Sequence, residues 1–514
     1  MTRTRRAAWG VATSYASTLA TAVAGFVLVP IVLRFVTREE YGLWAAVGQA
    51  FAYLALLDLG VGGAVVRRTA QLRERAVTGL APDAASRTVS TAIAIYSGLA
   101  LVFLACGLAV SGVLPRMLHL TPVRERMAWL LFVLMTVYGA LSFPLRVSLK
   151  ALYGFQQMAL ANAITAIENI ASPIVAVVLL AAGFGLVALP LGSMAAGCLA
   201  AIAGLIVLHR VVPNLAIGWR HASRGEAREL FTWSWLLWLN SFAVIVIYQT
   251  DNLVVASGQG LTAATVYTLT SRLPLYAMPI IAALGDSCLP AAVELGEQGK
   301  LDAMRDAYVR VMRLTAAAAL AVGVVSVSFN EPFMRLWVGA HNYGGAALTL
   351  AFAAILFYRV MMQSAAIVVI GTGRIRGVVA MSVVEAALNL GLSLWWVGRY
   401  GLIGVAAGTA VAGALTSGWY VPRVVCRALR LRASDFLWHG IARPAICAAP
   451  AILAAVAWRD AGLTATWLGL AVSVAIVAGA YGFAFLFVGL DRSERDLLYA
   501  RLGAASRTRV ATGL

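Results

Sequence analysis

The chain has 514 residues, 61% of them hydrophobic and only 12% charged, with a formal net charge of +18. A soluble surface needs about twice that share of charge to face water, so a water-soluble enzyme is excluded and the bilayer is the expected solvent. The basic residues sit in short loops between long apolar runs, not on soluble elements, which excludes a nucleic-acid-binding protein.

Taken in chain order, Arg3-Thr4-Arg5-Arg6 precedes an apolar run from Ala7 to Phe35. That run exceeds the ~7–15 residues of a signal-peptide core and another span follows at once, so it reads as an uncleaved first helix. Crossing the hydrocarbon takes about 20 apolar residues per helix. Polar and Gly/Pro-marked breaks place spans at 9–36, 41–66, 89–114, 127–149, 159–182 and 186–208 in the first half. In the second half they fall at 231–256, 262–293, 308–329, 345–371, 377–397 and 402–424, followed by 440–458 and 464–490. The pattern predicts an all-α integral membrane protein of about 14 transmembrane helices.

Orientation follows from where Lys and Arg lie in the loops. With the N-terminus inside, 30 of the 40 basic residues fall inside, 8 outside, and Arg272 and Arg359 remain within spans. A missed helix would scramble that alternation, so both termini are expected to be cytoplasmic.

An internal repeat is visible. Gly185-Leu186-Val187 with Gly192-Ser193 matches Gly401-Leu402-Ile403 with Gly408-Thr409, and Gly154 precedes Glu168 by the same interval as Gly371 precedes Glu385. An even number of spans separates equivalent points, so the halves share one orientation and are related by an axis along the membrane normal. In parallel-repeat transporters the substrate site lies between the halves. The expected organisation is two six-helix lobes, 1–215 (spans 1–6) and 216–425 (spans 7–12). Spans 13 and 14 follow at 426–490, and a basic cytoplasmic tail covers 491–514.

Ionisable groups inside spans normally face a partner or an aqueous cavity, because burying them in hydrocarbon is costly. Asp58, Glu168, Asp251 and Glu385 are the carboxylates expected to couple transport to protons or sodium, or to act between lobes, since a desolvated carboxylate can titrate in the working range. For Glu168 and Glu385 an ion pair with an Arg is the rival reading. Arg146, Asp251 and Asp286 lie near span ends, where a side chain can reach the interface. Asp58 precedes Leu59-Gly60-Val61-Gly62-Gly63, where its carboxylate can satisfy freed backbone amides instead. Arg272 and Arg359 lie inside spans 8 and 10. A guanidinium in an aqueous cleft suits a phosphate or diphosphate, because its fork binds two oxygens at once. Pro274 and Pro279 follow Arg272 and open helix backbone to a cavity.

No Walker A, HExxH or GxSxG pattern is present, so no catalytic residue, metal or cofactor is expected, and ATP hydrolysis by this chain is excluded. The five cysteines show no ligand or disulfide spacing.

Glu40-Tyr41-Gly42-Leu43-Trp44, running to Leu57-Asp58-Leu59-Gly60 and Arg67-Arg68, resembles the second-helix signature of Wzx-type polysaccharide transporters. These are flippases of lipid-linked oligosaccharides in the multidrug/oligosaccharidyl-lipid/polysaccharide exporter superfamily. Asp251-Asn252-Leu253-Val254 with Tyr267 is similar to the family's seventh-to-eighth helix junction. Pro290 to Glu294-Leu295 and Tyr308-Val309-Arg310-Val311 are similar to its next connection. The resemblance implies a bacterial inner-membrane protein that moves a polyprenyl-diphosphate-linked glycan by alternating access through a cationic cavity between lobes. Membrane lipids and the glycan-polymerisation machinery are its implied partners. Arg272 and Arg359 match the implied second-lobe cations by location, whereas the first-lobe spans show no mid-membrane Arg. Spans 13 and 14 resemble those of lipid II flippases, where they line a groove for the lipid tail. Two other classes stand beside this reading: a cation-coupled multidrug antiporter, which tolerates loss of Arg272, and a non-transporting membrane scaffold, which usually carries added soluble domains.

Overall fold

The computed structural model describes residues 3–77, 82–212, 214–232, 235–286, 294–295, 298–459, 463–492 and 494–496. Pro290 and the tail beyond 496 lie outside the described residues, as do the side chains of residues 3–17. Among the described residues the protein is helical nearly throughout and has no strand. The first helices are α1 (Arg3–Phe35), α2 (Arg38–Leu54), α3 (Val61–Val77), α4 (Pro82–Met117), α5 (Pro122–Leu145) and α6 (Val147–Gly154). They are followed by α7 (Met158–Ala181), α8 (Ala188–Val211), α9 (Arg224–Thr232), α10 (Trp235–Gln249), α11 (Asp251–Gln259) and α12 (Leu261–Asp286). The longer helices that remain are α13 (Leu301–Trp337), α14 (Ala346–Gly371), α15 (Ile375–Leu415), α16 (Ser417–Ala428), α17 (Ala448–Arg459) and α18 (Trp467–Ala484).

Eleven helical stretches among the described residues are long and apolar enough to cross a membrane, or twelve if the bent pair α2–α3 is one span. The difference from the expected fourteen has two physical sources. The stretch Ile375–Ala428 is read as one helix although Gly401 (φ 59, ψ −136) breaks it, and the two spans expected at 377–397 and 402–424 lie on either side. At about 1.5 Å per residue an unbroken helix of that length far exceeds the hydrocarbon thickness, so the break is required. The second source is the span expected at 262–293, of which α12 is the described part; it carries Arg272 and two prolines and is not among the eleven.

Local sequence sets the helix ends. Thr37 caps α2 through a capping box: its hydroxyl accepts from the Glu40 amide at 3.3 Å while the Glu40 carboxylate accepts from the Thr37 amide at 2.7 Å. At the other end the helix passes through a 3-10 turn to Asp58, after which Leu59 (φ 49) and Gly60 (φ 76) enter the left-handed region. The chain restarts as α3 at a 45° angle. Left-handed residues recur at the interval of the sequence repeat: Gln156 with Gly373, and Gly185 with Gly401.

The residues form two compact units, 1–269 with 376–416, and 270–375 with 417–514. Grouping by contact is a different partition from the lobe division, which expresses a symmetry between sequence copies. In each unit the polarity is that of a bilayer protein: Leu101, Leu453 and Leu468 are exposed while Thr, Ser and Asn side chains are buried. Buried polar groups join helices, as where Asn330 donates to the Thr270 carbonyl at 3.0 Å and to the Thr349 hydroxyl at 3.1 Å.

In the first unit, the connection before α9 lies along one face of α4. Ser86, Ser90 and Thr91 accept from the amides of Ala216, Gly218 and Ser223. Arg68 of α3 grips Glu226 of α9 with two hydrogen bonds, at 2.7 and 3.0 Å. In the second unit the last helix is tied down by charge. Arg313, 1% exposed, donates to Asp491 at 2.9 Å and to Glu494, and Arg443 donates to Asp491 at 2.7 Å and to the Val488 carbonyl at 2.7 Å.

Burial pushes the Asp491 carboxyl up, but hydrogen bonds from Arg443 and Arg313 outweigh it and hold the group at about 2, below its ordinary 3.8. Its contribution is therefore complete above the ordinary aspartate range and lost as pH falls through about 2. Removing Arg313 takes from Glu494 its two closest charged contacts and leaves it only the more distant Arg310, at a cost of up to about 3–5 kcal/mol. Arg313→Ala should lower the thermal unfolding midpoint in detergent much more than Arg310→Ala, whose nitrogen stands 3.7 Å from Glu494. Equal shifts for the two variants would contradict this account.

Candidate functional site

The break between α2 and α3 places Asp58 at the wall of a cavity of about 300 Å³ in the first unit. Ala55, Tyr96, Ser142, Phe143, Arg146, Val147 and Lys150 complete the lining. Tyr96 of α4 is buried and donates its hydroxyl to the Asp58 carboxylate. Its ring meets Phe143 edge-on, with centroids 5.7 Å apart. Arg146 and Lys150 share a face because the helical path continues from α5 into α6, with the Lys150 amide bonding back to the Arg146 carbonyl. Gly62 leaves room for the lysine: a Cβ there would lie 2.9 Å from Nζ of Lys150 and 3.1 Å from the Tyr96 hydroxyl.

Behind this cavity Arg146 forms an ion pair with Glu168 of α7 and also donates to the Tyr138 hydroxyl at 3.0 Å. Tyr138 in turn faces Glu168 at 3.4 Å. Glu168 is buried, so the pair is held away from water on its acidic side.

A second polar centre of the same unit lies at the start of α11. Asp251 is 7% exposed and accepts from the Tyr267 hydroxyl at 2.9 Å and the Thr409 hydroxyl at 3.1 Å. The neighbouring Thr250 hydroxyl bonds to Tyr53 of α2. Asn389 of α15 reaches the Ile247 carbonyl at 3.4 Å, and Gln259 reaches the Val397 carbonyl at 2.8 Å, so α10 and α11 are fastened to α15. Glu385 is buried on α15.

Two of the alternatives are narrowed here. Arg146, near a span end, is paired with Glu168. Asp251 likewise is buried and hydrogen-bonded instead of reaching the interface. For Glu168 the ion-pair reading describes the geometry. Asp58 meets a tyrosine hydroxyl as well as lying beside the helix break. The carboxylates Asp58, Glu168, Asp251 and Glu385 all belong to the first unit, while Arg272 and Arg359 belong to the second. Arg272 lies over the Tyr276 ring at 4.9 Å, a cation–π contact along α12. Arg359 is half-buried on α14. Sequence reasoning missed Tyr96, Tyr138 and Lys150. The four-residue spacing of Arg146 and Lys150 is the available signal, but both count equally well as loop charges.

Helices long and apolar enough to cross a membrane, with apolar side chains exposed and charged groups gathered inside the spans, define a multi-pass membrane protein. The chain belongs to the polysaccharide biosynthesis protein family, whose profile matches residues 8–295. No curated protein matches the chain by sequence. Its fold is similar to that of the lipid II flippase MurJ in an inward closed conformation, with a TM-score of 0.66 at 14% identity over 94% of this chain and 99% of that one. It is also similar to an outward-facing multidrug resistance MATE family transporter of the MOP superfamily, at TM-score 0.58, 15% identity, 82% of this chain and 96% of that one. A MATE transporter of Vibrio cholerae aligns at TM-score 0.57 and 14% identity, over 84% and 98%.

Removing Arg146 strands the buried Glu168 carboxylate, at a cost of about 3–5 kcal/mol, whereas replacing both with apolar residues is close to neutral. Arg146→Met alone should depress thermal stability strongly, and the double variant Arg146→Met/Glu168→Leu should recover most of it. A double variant no more stable than the single one would show that the two charges do not depend on each other.

Proposed function

We propose that this protein is a flippase that moves a polyprenyl-diphosphate-linked oligosaccharide, or another cell-envelope glycan precursor, across the bacterial cytoplasmic membrane by alternating access. The observation that carries the reading is a cavity bearing cations, a carboxylate and aromatic rings, inside an apolar bundle of a polysaccharide biosynthesis family chain. A lipid-linked cargo needs such a division: a wet, charged path for the head group and an apolar surround for the tail. The similarity of fold to a lipid II flippase supports the same cargo class.

In this reading the two six-helix lobes alternate about the membrane normal with both termini cytoplasmic. Arg272 and Arg359 meet the diphosphate, because a guanidinium fork matches paired phosphate oxygens. Asp58, Glu168, Asp251 and Glu385 couple the cycle to a proton or sodium gradient, or position the moving helices. Asp251 is the most suited to a small cation, since Tyr267 and Thr409 surround its carboxylate with neutral oxygens. Glu168 suits positioning, because Arg146 already balances its charge.

A second reading, a cation-coupled multidrug antiporter, draws on the similarity of fold to MATE transporters. Reconstituted protein separates the two. With labelled polyprenyl-diphosphate glycan in proteoliposomes, leaflet transfer is expected, and Arg272→Ala should slow it about 10–100-fold by removing a charge-assisted bond. Failure of transfer under every imposed gradient would refute the flippase reading. Gradient-driven efflux of a cationic dye that Arg272→Ala leaves intact would favour the antiporter.

A further inference from the structure

The lysine of the cavity stands apart from the other intramembrane charges. Arg146 has Glu168, Arg68 has Glu226, and Arg313 has Asp491 and Glu494. For Lys150, within the spanning stretch Pro122–Gly154, no carboxylate among the described residues lies within the 4.0 Å of an ion pair. Its ammonium and the Tyr96 hydroxyl both face the bare backbone of Gly62, at the lining of the cavity. Asp58 lines the same cavity but stands beyond ion-pair distance with one oxygen held by Tyr96, so the ammonium keeps a face on which the cavity can receive an anion.

The rest of the lining restricts which anion fits. Arg146 stands one helical turn from Lys150 and is 37% exposed in its side chain, so its fork can share an anionic group while Glu168 holds its other edge. Asp58 would repel a bare anion, but only one of its oxygens is engaged by Tyr96. The other is an acceptor suited to a hydroxyl donor. Phe143, half-buried and backed by the Tyr96 ring, adds an aromatic surface that suits the apolar face of a pyranose. Cations, a hydroxyl acceptor and an aromatic ring within about 300 Å³ are the complement of one phosphorylated sugar.

We infer that this cavity is a binding subsite for the sugar–phosphate junction of a glycosyl phosphate, with Lys150 as the phosphate anchor and Asp58 as the acceptor for a sugar hydroxyl. The choice of a sugar phosphate as ligand rests on the transport reading above; the anion site itself does not. The subsite lies against the joint between α2 and α3, where Lys150 crosses Gly62, so an anion that draws the ammonium into the cavity acts directly on the bent span.

The test uses the full-length protein in detergent and titration calorimetry with three probes: inorganic diphosphate, glucose 1-phosphate and glucose. Both anions are expected to bind and glucose alone is not, with affinity falling as salt rises. Lys150→Gln should weaken both anions at least about tenfold, the effect of losing one charge-assisted contact, while Lys150→Arg stays within about threefold of the wild type. Asp58→Asn should tighten inorganic diphosphate, because a like charge is removed, and should narrow the preference for glucose 1-phosphate. The carboxamide oxygen in the Asp58→Asn variant would still accept from Tyr96, so folding is preserved, and thermal midpoints of all variants check this.

No anion binding by the wild type at millimolar probe, or affinities unchanged in a folded Lys150→Gln variant, would overturn the subsite. So would equal effects of Asp58→Asn on both anions, for the sugar part of the assignment. Leaflet transfer measured in parallel separates the two ideas. Transfer without Lys150-dependent binding sinks the subsite alone, and Lys150-dependent binding without transfer sinks the flippase alone.

Discussion

A charge placed among apolar helices must find an opposite charge, a dense set of hydrogen bonds or a wet space, because the bilayer supplies none of them. That requirement organises this protein more than any single packing contact. Glu168 is buried against Arg146, Arg313 against two acids of the segment after the last span, and Asp251 among hydroxyls. The Asp251 and Arg313 arrangements also fasten segments that are remote in the chain. Apolar packing alone could not specify those pairings, since lipid tails are as apolar as the side chains they would replace. The polar contacts therefore select which helix neighbours which.

The places where helices fail are the places where polar chemistry gathers. The turn through Leu59 and Gly60 ends α2 beside Tyr96 and turns Asp58 toward a cavity. The path from Pro144 through Arg146 into α6 sets two cations on that same cavity. Thr250 and Asp251 lie where α10 gives way to α11. Interrupted helices release backbone groups that an apolar solvent cannot satisfy, so they are tolerated only beside polar side chains or a cavity. Local backbone irregularity and the candidate site are thus one feature seen at two scales.

Several parts of this arrangement were legible in the sequence. Asp58, Glu168, Asp251 and Glu385 stood out because a carboxylate in an apolar run is conspicuous. Lys150 did not, because it lies near the end of a span and counted equally well toward the charge asymmetry of the loops. Tyr96 and Tyr138 were invisible for a different reason. A tyrosine in a membrane helix is common, and only its partner, Asp58 in one case and Arg146 with Glu168 in the other, gives it meaning.

The amino-acid order determined the solvent, the helical class, the approximate spans and the family resemblance. Each of these rests on properties that accumulate locally: hydropathy over about 20 residues, loop charge and short motifs. Only the tertiary structure decided which charges meet. Arg146 and Glu168 are 22 positions apart, Asp251 and Thr409 are 158, and Arg313 and Asp491 are 178. Pairings over such separations depend on how helices are set side by side, a relation between distant segments that no window along the chain contains.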